Sequence, residues 1–185
     1  MDQRQKLHQL NIADIITLIR MVGTLFLLML KPLSLAFFWV YALTGLTDVL
    51  DGWIARKTKT TSDFGARLDS IADLVFYAVM LTGIFPILFE KLPSEIWYVV
   101  AVVLCIRILA YVIAAIKYRL FASLHTYLNK FTGAAVFLIP FSLITDYTVA
   151  FCWIVSGVAM AASIEELVIH IRRKDYCSNV KSILF

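Results

Sequence analysis

Charged residues are scarce in this chain, and so are the residues that build disulfide frameworks and zinc sites. Of its 185 residues only 16% are charged, whereas 61% are hydrophobic, against roughly 45–50% in soluble domains. The three cysteines are isolated and have no histidine nearby, so neither a disulfide framework nor a zinc site is indicated. No nucleic-acid motif is present, and the net charge of +4 suits membrane topology and anionic lipid headgroups. These absences argue against a soluble domain and predict a protein embedded in a bilayer.

The few charges divide the chain into six apolar segments, each long enough to cross roughly 30 Å of hydrocarbon. Lys and Arg collect on alternate connections and at both ends, whereas the opposite connections carry only Lys31 and Lys91. The positive-inside rule therefore predicts that both termini face the cytoplasm. We expect an all-α integral membrane protein, with an interfacial helix or a disordered segment at 1–12, a six-helix transmembrane bundle at 13–172 and a cytoplasmic tail at 173–185. The predicted spans are 13–30, 33–54, 66–89, 96–116, 128–145 and 148–170.

Four aspartates recur at fixed spacings where the second apolar segment ends and the third begins. Asp48 and Asp51 lie about one helical turn apart, and so do Asp69 and Asp73, so each pair projects from one helix face. A carboxylate within a membrane costs roughly 2.5–3.5 kcal/mol, so four of them are expected to be held there by a cation or a function. Carboxylate ligands without His or Cys favour a hard cation, Mg²⁺ or Mn²⁺, with substrate phosphates completing its coordination. The sequence therefore predicts a membrane metalloenzyme that acts on a phosphate-containing substrate.

Small and basic residues between the two aspartate pairs suit a nucleotide diphosphate. Gly52 and Gly65 carry no side chain where a ligand would approach the backbone, and Arg56 offers a planar fork for phosphate oxygens. Ser62 precedes the predicted third span and can cap its helix. If the aspartates only paired with neighbouring basic residues, neither the glycines nor the deep position of Asp73 would be explained.

The pattern from Asp48 to Asp73 resembles, without a substitution, the signature of the CDP-alcohol phosphotransferases, D-x2-D-G-x2-A-R-x8-G-x3-D-x3-D. The resemblance implies a six-helix, usually homodimeric enzyme that transfers the phosphatidyl group from CDP-diacylglycerol to an alcohol and releases CMP. It further implies two divalent cations, an active site on the cytoplasmic side of a bacterial membrane, and a catalytic role for Asp73 as general base. The implied metal ligands are Asp48, Asp51, Asp69 and Asp73, and the implied CDP-binding residues are Gly52, Arg56, Ser62 and Gly65.

Two further groups of residues bear on the acceptor. Thr17 and Arg20 lie in a segment that is similar to the N-I-P-N-x2-T-x2-R of bacterial phosphatidylglycerophosphate synthases, and they are expected to face the diphosphate or the acceptor. Alternatively, Arg20 snorkels to the interface and Thr17 bonds to its own helix. Arg107 lies deep in the fourth span and is predicted to bind an anionic acceptor, with a structural pair to Glu165, Glu166 or one of the aspartates as the alternative. The predicted acceptor-binding residues are Arg107, Lys117, Arg119 and Lys130.

The cations favour a phosphorylated alcohol. Glycerol 3-phosphate is the leading prediction, which makes phosphatidylglycerophosphate synthase the nearest subgroup. The segment 68–74, L-D-S-I-A-D-L, departs from the D-P-L-A-D-K of those synthases and resembles bacterial phosphatidylserine synthases, so serine, inositol and inositol phosphate stay open. A divalent-cation transporter is the alternative from another class, but it would gain nothing from the arrangement of Gly52, Arg56 and Gly65.

Overall fold

The architecture is helical throughout the part of the chain that the structure describes. A computed structural model describes residues 11–58, 63–119 and 126–173, and every regular element within those ranges is a helix. A short 3-10 helix, Leu27–Met29, directly follows the first α-helix. The α-helices are α1 (Ile12–Phe26), α2 (Leu35–Thr58), α3 (Asp63–Gly83), α4 (Phe85–Lys91), α5 (Ser94–Tyr118), α6 (Tyr127–Phe137), α7 (Ile139–Ser142) and α8 (Thr148–Arg172).

Within those ranges, three helices are long and apolar enough to cross a membrane. They are α5, α8 and α1 with its 3-10 extension (Ile12–Met29). Leu68–Gly83 of α3 and the helix α4 form a fourth candidate, bent by 43° between them. The apolar part of α2, Leu35–Leu50, is shorter, and the fifth predicted span is divided between α6 and α7. An all-helical membrane protein is therefore supported, whereas the predicted number of six spans is not confirmed.

The helices expose large apolar side chains along much of their length. Val22 of α1, Trp39 of α2 and Ile116 of α5 are 69%, 64% and 76% exposed, respectively. Extended apolar surfaces of this kind are unusual on soluble monomers and suit contact with lipid acyl chains. The backbone of each helix satisfies its own hydrogen bonds, as a hydrocarbon environment requires.

Prolines lie at the interruptions between and within the apolar segments. Pro32 lies between the 3-10 helix and α2, as its position in the sequence predicts. Pro86 is the second residue of α4, and Pro140 is the second residue of α7. Because proline has no N–H to donate to the preceding turn, a continuous helix through either position would lose a hydrogen bond. The kinks predicted at Pro86 and Pro140 are confirmed by the breaks between α3 and α4 and between α6 and α7.

The described residues divide into two compact units after Glu90. In the first unit, α1 packs against both α2 and α3. Gly23 permits the close approach of α1 to α2, since a Cβ at this position would lie 3.1 Å from Cγ2 of Thr44. Tyr41 of α2 stacks on Phe76 of α3, with ring centroids 5.6 Å apart. In this unit α1 therefore contacts both of the helices that carry the aspartates.

In the second unit, α8 packs against α5, α6 and α7. Small residues are fully buried on both long helices, Ala110 and Ala114 on α5 and Ala162 and Ser163 on α8. Small side chains let helix backbones approach closely where no hydrophobic effect drives association. Polar groups are also buried in α8, and they are described with the candidate site.

Both predicted terminal segments extend beyond the described residues. The interfacial helix at 1–12 falls almost wholly outside them, and so does the tail after Arg173. Asn11 is the N-cap of α1, where its backbone N–H donates to Oδ2 of Asp14 at 3.0 Å. The organisation into an interfacial segment, a membrane domain and a tail therefore stays a prediction.

Candidate active site

The structure brings together three of the four aspartates. Asp48 lies on α2, and Asp69 and Asp73 lie on successive turns of α3. One carboxylate oxygen from each lies within 4.8 Å of the other two. Asp48 is exposed, and the other two are partly buried. Two helices thus present carboxylates to one small volume that remains open on one side.

Arg20 enters this cluster from α1. Its Nη1 contacts Asp48 and lies 3.5 Å from Oδ1 of Asp73, while its Nη2 donates to Oδ1 of Asp69 at 2.6 Å. The Arg20 side chain is 3% exposed, whereas the side chains of the three aspartates are about half exposed. The guanidinium therefore approaches from the protein interior and does not snorkel to the interface.

A close contact between α1 and α2 positions Arg20 beside Asp48. Gly23 is almost one turn from Arg20, and its contact partner Thr44 is one turn from Asp48. The close approach of α1 to α2 at this point therefore brings Arg20 to Asp48. The buried hydroxyl of Thr24 is satisfied within α1, because its Oγ1 donates to the Arg20 carbonyl at 2.8 Å.

Thr17 and Arg20 occupy different environments, although the sequence groups them. The Oγ1 of Thr17 donates to the carbonyl of Ala13 at 3.0 Å, and Thr17 is buried. This is the back-bonded arrangement that was the alternative for Thr17. Arg20 contacts the aspartates, and the sequence signal that pointed to this arginine is its place in the segment similar to N-I-P-N-x2-T-x2-R.

The structure says less of the predicted CDP-binding residues. Asp51, Gly52 and Arg56 lie in the last turns of α2, but the description there is limited to the backbone. Ser62 lies outside the described residues, and α3 begins at the residue that follows it. Gly65 lies in the first turn of α3 and is partly buried. The CDP-binding assignments therefore stay predictions, as does the metal role of Asp51.

The chemistry of the clustered donors fits a hard divalent cation. All three are carboxylate oxygens, which Mg²⁺ and Mn²⁺ prefer. Two ligands of one Mg²⁺ at about 2.1 Å are at most about 4.2 Å apart, so donors this close need only small side-chain rotations to share an ion. The carboxylates already converge on a positive group, the guanidinium of Arg20. Asp48, Asp69 and Asp73 are therefore suitable ligands for such a cation.

A second polar network lies in the unit after Glu90. Nη2 of Arg107 on α5 donates to Oδ1 of Asn129 at 2.7 Å, and Nδ2 of Asn129 donates to Oε2 of Glu166 at 3.1 Å. Glu166 is fully buried, and Oε1 of Glu166 lies 3.9 Å from Nε2 of His170. The alternative of a structural pair thus exists in indirect form, with Asn129 between Arg107 and Glu166. Sequence reasoning missed Asn129, an amide in the first turn of α6.

The other predicted acceptor-binding cations lie at the C-terminal end of α5 and on α6. Nζ of Lys117 donates to the carbonyls of His170 and Ile171, each at 2.9 Å, and so caps the C-terminus of α8. Arg119 is the exposed C-cap of α5 in the left-handed conformation, with φ of 57°. Lys130 is exposed on α6. The acceptor-binding role of these residues stays a prediction.

Comparison with known protein families shows to which family the chain belongs. A sequence model of the CDP-alcohol phosphatidyltransferase family matches residues 10–165 of this chain. The chain belongs to this family. The resemblance to this family that the Asp48–Asp73 pattern indicates is thereby confirmed, and the match also covers Arg20 and Arg107. Membership in a family of membrane transferases agrees with the all-helical architecture.

Curated relatives within this family carry two different names. A Methanocaldococcus jannaschii protein named CDP-diacylglycerol-serine O-phosphatidyltransferase is 34% identical over 97 residues, which cover 52% of this chain and 44% of the relative. Proteins named CDP-diacylglycerol-glycerol-3-phosphate 3-phosphatidyltransferase match from Sodalis glossinidius, with 39% identity over 80 residues, and from Wigglesworthia glossinidia brevipalpis, with 37% over 78. Each of these two matches covers 40% of this chain and 43% of the relative. The chain spans less than half the length of the curated relatives it matches, and no solved structure matches it.

Proposed function

We propose that this chain transfers the phosphatidyl group from CDP-diacylglycerol to an alcohol and releases CMP. The observation that carries the proposal is the convergence of Asp48, Asp69 and Asp73, whose carboxylate oxygens lie within 4.8 Å of one another. The same aspartates belong to the family signature, and the family model covers them. A phosphoryl-transfer site needs such a cluster because the diphosphate of the donor is highly charged and must be neutralised.

Each residue of the signature has a role in this proposal. Asp48, Asp51, Asp69 and Asp73 hold Mg²⁺ or Mn²⁺, which would neutralise the diphosphate and polarise the bond that breaks. Asp73 takes the proton from the acceptor hydroxyl while the hydroxyl oxygen forms a bond to the phosphatidyl phosphorus. The bond between that phosphorus and the oxygen of CMP breaks, and CMP leaves with its electron pair. The CDP moiety is bound by Gly52, Arg56, Ser62 and Gly65.

Glycerol 3-phosphate is the acceptor that we propose first, and serine is the second candidate. The phosphorylated acceptor is favoured by the basic residues of the second half of the chain and by the names of the Sodalis and Wigglesworthia relatives. Serine is favoured by Ser70 within the L-D-S-I-A-D segment and by the name of the Methanocaldococcus relative. The two candidates differ in one respect that an assay can use, because only glycerol 3-phosphate needs a cation for its phosphate.

We further propose six membrane crossings, with the aspartate cluster and both termini on the cytoplasmic side of a bacterial membrane. The helices α1, α2, α3 with α4, α5, α6 with α7, and α8 correspond in order to the six predicted spans. The distribution of Lys and Arg supports the orientation. A homodimer is proposed from the family resemblance alone.

The decisive experiment measures product formation by the purified chain. We would incubate it with CDP-diacylglycerol and Mg²⁺, offer glycerol 3-phosphate, serine, inositol and inositol phosphate separately, and quantify CMP and the lipid product. CMP release that depends on one acceptor would establish the reaction and identify the acceptor. Movement of divalent cations into proteoliposomes without CMP release would instead favour a divalent-cation transporter.

A further inference from the structure

Arg20 is placed unusually for a basic residue of a membrane span. Long basic side chains in such spans normally extend toward the interface to keep their charge hydrated. Arg20 instead is buried and contacts the carboxylates of Asp48, Asp69 and Asp73, which are themselves half exposed. Its guanidinium remains charged under all ordinary conditions. A permanent positive charge therefore lies on the interior side of the acidic cluster.

The hydrogen-bond contacts of the Arg20 guanidinium are made with carboxylates. Both Nη atoms contact the aspartates, whereas Nε is buried and has no hydrogen-bond partner among the described residues. The arrangement is therefore dominated by charge neutralisation of three carboxylates, which would otherwise repel one another.

We propose that Arg20 is an internal counter-cation, which neutralises the carboxylates in the cation-free protein and competes with the divalent cation for them. The inference rests on the proposed metal role of these aspartates. A positive charge in contact with the ligands weakens the binding of any second cation by Coulomb repulsion. Binding of the anionic donor would offset this repulsion, so divalent cation and nucleotide are expected to bind with positive coupling.

Variants of Arg20 test the competition directly. Arg20→Gln removes the charge, Arg20→Lys keeps it without the fork, and Lys31→Gln removes an exposed cation from a connection as the matched control. Mn²⁺ affinity would be measured by electron paramagnetic resonance on the full chain in detergent, with and without CDP, and thermal unfolding would be followed in EDTA. In EDTA, Arg20→Gln should unfold at a lower temperature than the wild type, since its carboxylates lose their counter-charge.

The expected result is that Arg20→Gln binds Mn²⁺ at least about tenfold more tightly than the wild type, which is about 1.4 kcal/mol. Lys31→Gln should leave the affinity unchanged, and added CDP should raise the Mn²⁺ affinity more in the wild type than in Arg20→Gln. Equal or weaker Mn²⁺ binding by Arg20→Gln would overturn the inference. If that variant does not fold, Arg20→Lys decides: it should bind Mn²⁺ more tightly than the wild type, because a single ammonium contacts fewer carboxylates.

The outcome is separable from the proposed transferase reaction. If neither the wild type nor any variant binds Mn²⁺ while acceptor-dependent CMP release is observed, the counter-cation inference fails and the reaction stands. If Arg20→Gln binds Mn²⁺ more tightly but no acceptor supports CMP release, the inference stands and the proposed reaction fails.

Discussion

Asp73→Asn separates the chemical role of the deepest aspartate from its structural role. The substitution preserves the shape of the side chain but removes its charge and its basicity. In the structure, Oδ1 of Asp73 lies 3.5 Å from Nη1 of Arg20, which is longer than the 2.6 Å contact between Asp69 and Nη2. Arg20 also keeps its contact with Asp48. The variant should therefore fold, with a free energy of unfolding within about 1 kcal/mol of the wild type, since the Asp73 side chain is half exposed and Arg20 keeps its contacts with the other two aspartates.

The effect on catalysis should be far larger than the effect on stability. Removing a general base typically lowers a rate by about 10²–10⁴. Asp73 is proposed to bind the cation as well, so its loss also weakens neutralisation of the diphosphate. We therefore expect CMP formation to fall at least about 10³-fold, which corresponds to about 4 kcal/mol of transition-state stabilisation.

The assay compares CMP release and thermal unfolding for the same preparations. Asp146→Asn is the matched control, because it makes the same chemical change at an exposed aspartate in the connection between α7 and α8. The control should retain wild-type CMP release. If Asp73→Asn released CMP at more than about a tenth of the wild-type rate, a general-base role for Asp73 would be untenable, because loss of a general base alone is expected to cost at least about a hundredfold.

Three further predictions concern the cation, the helix contact and the second polar network. Chelation with EDTA should stop CMP release and Mg²⁺ should restore it; activity that persists in EDTA would contradict the proposed metal role. Gly23→Leu should lower the free energy of unfolding by about 1–3 kcal/mol and displace Arg20, because the new leucine side chain collides with Thr44. The control Gly157→Leu, on an exposed face of α8, should leave both thermal unfolding and CMP release unchanged. Arg107→Gln should lower the unfolding temperature by removing the charged donor to Asn129, and it should raise the KM for glycerol 3-phosphate if that is the acceptor; an unchanged KM would contradict an acceptor-binding role for Arg107.

The aspartate cluster and the helical architecture were both accessible from the sequence. Asp69 and Asp73 had to share a face because helical geometry fixes the direction of residues four apart. Pro86 and Pro140 marked the breaks in helices because proline lacks the amide that a continuous helix needs. Both features depend on local backbone geometry, which can be predicted directly from residue spacing and residue type.

The contacts of Arg20 with the aspartates could not be predicted from the sequence in the same way. A long side chain can reach several directions, and which one it takes depends on the helices that pack beside it. The sequence suggested that the helix of Asp48 and the helix of Asp69 face each other, but not that α1 packs against both and carries Arg20 between them. Gly23 was a usable signal, since a glycine inside a membrane helix often marks a close helix contact. The length of α2 illustrates a similar limit, because only Leu35–Leu50 of this helix forms its apolar part.

The contacts of the basic residues in the second unit bear on the choice of acceptor. Arg107 donates to the neutral amide of Asn129, and a phosphate would be a stronger partner, because it carries a full negative charge and can accept two parallel N–H bonds from the guanidinium. Lys117 is different, since its two bonds to the C-terminal carbonyls of α8 complete a helix end that would lose its cap. A phosphorylated acceptor is therefore expected to recruit Arg107 and to leave Lys117 in place. Lys117→Gln should accordingly lower the unfolding temperature without changing the acceptor KM, and a raised KM for glycerol 3-phosphate in that variant would contradict this division of roles.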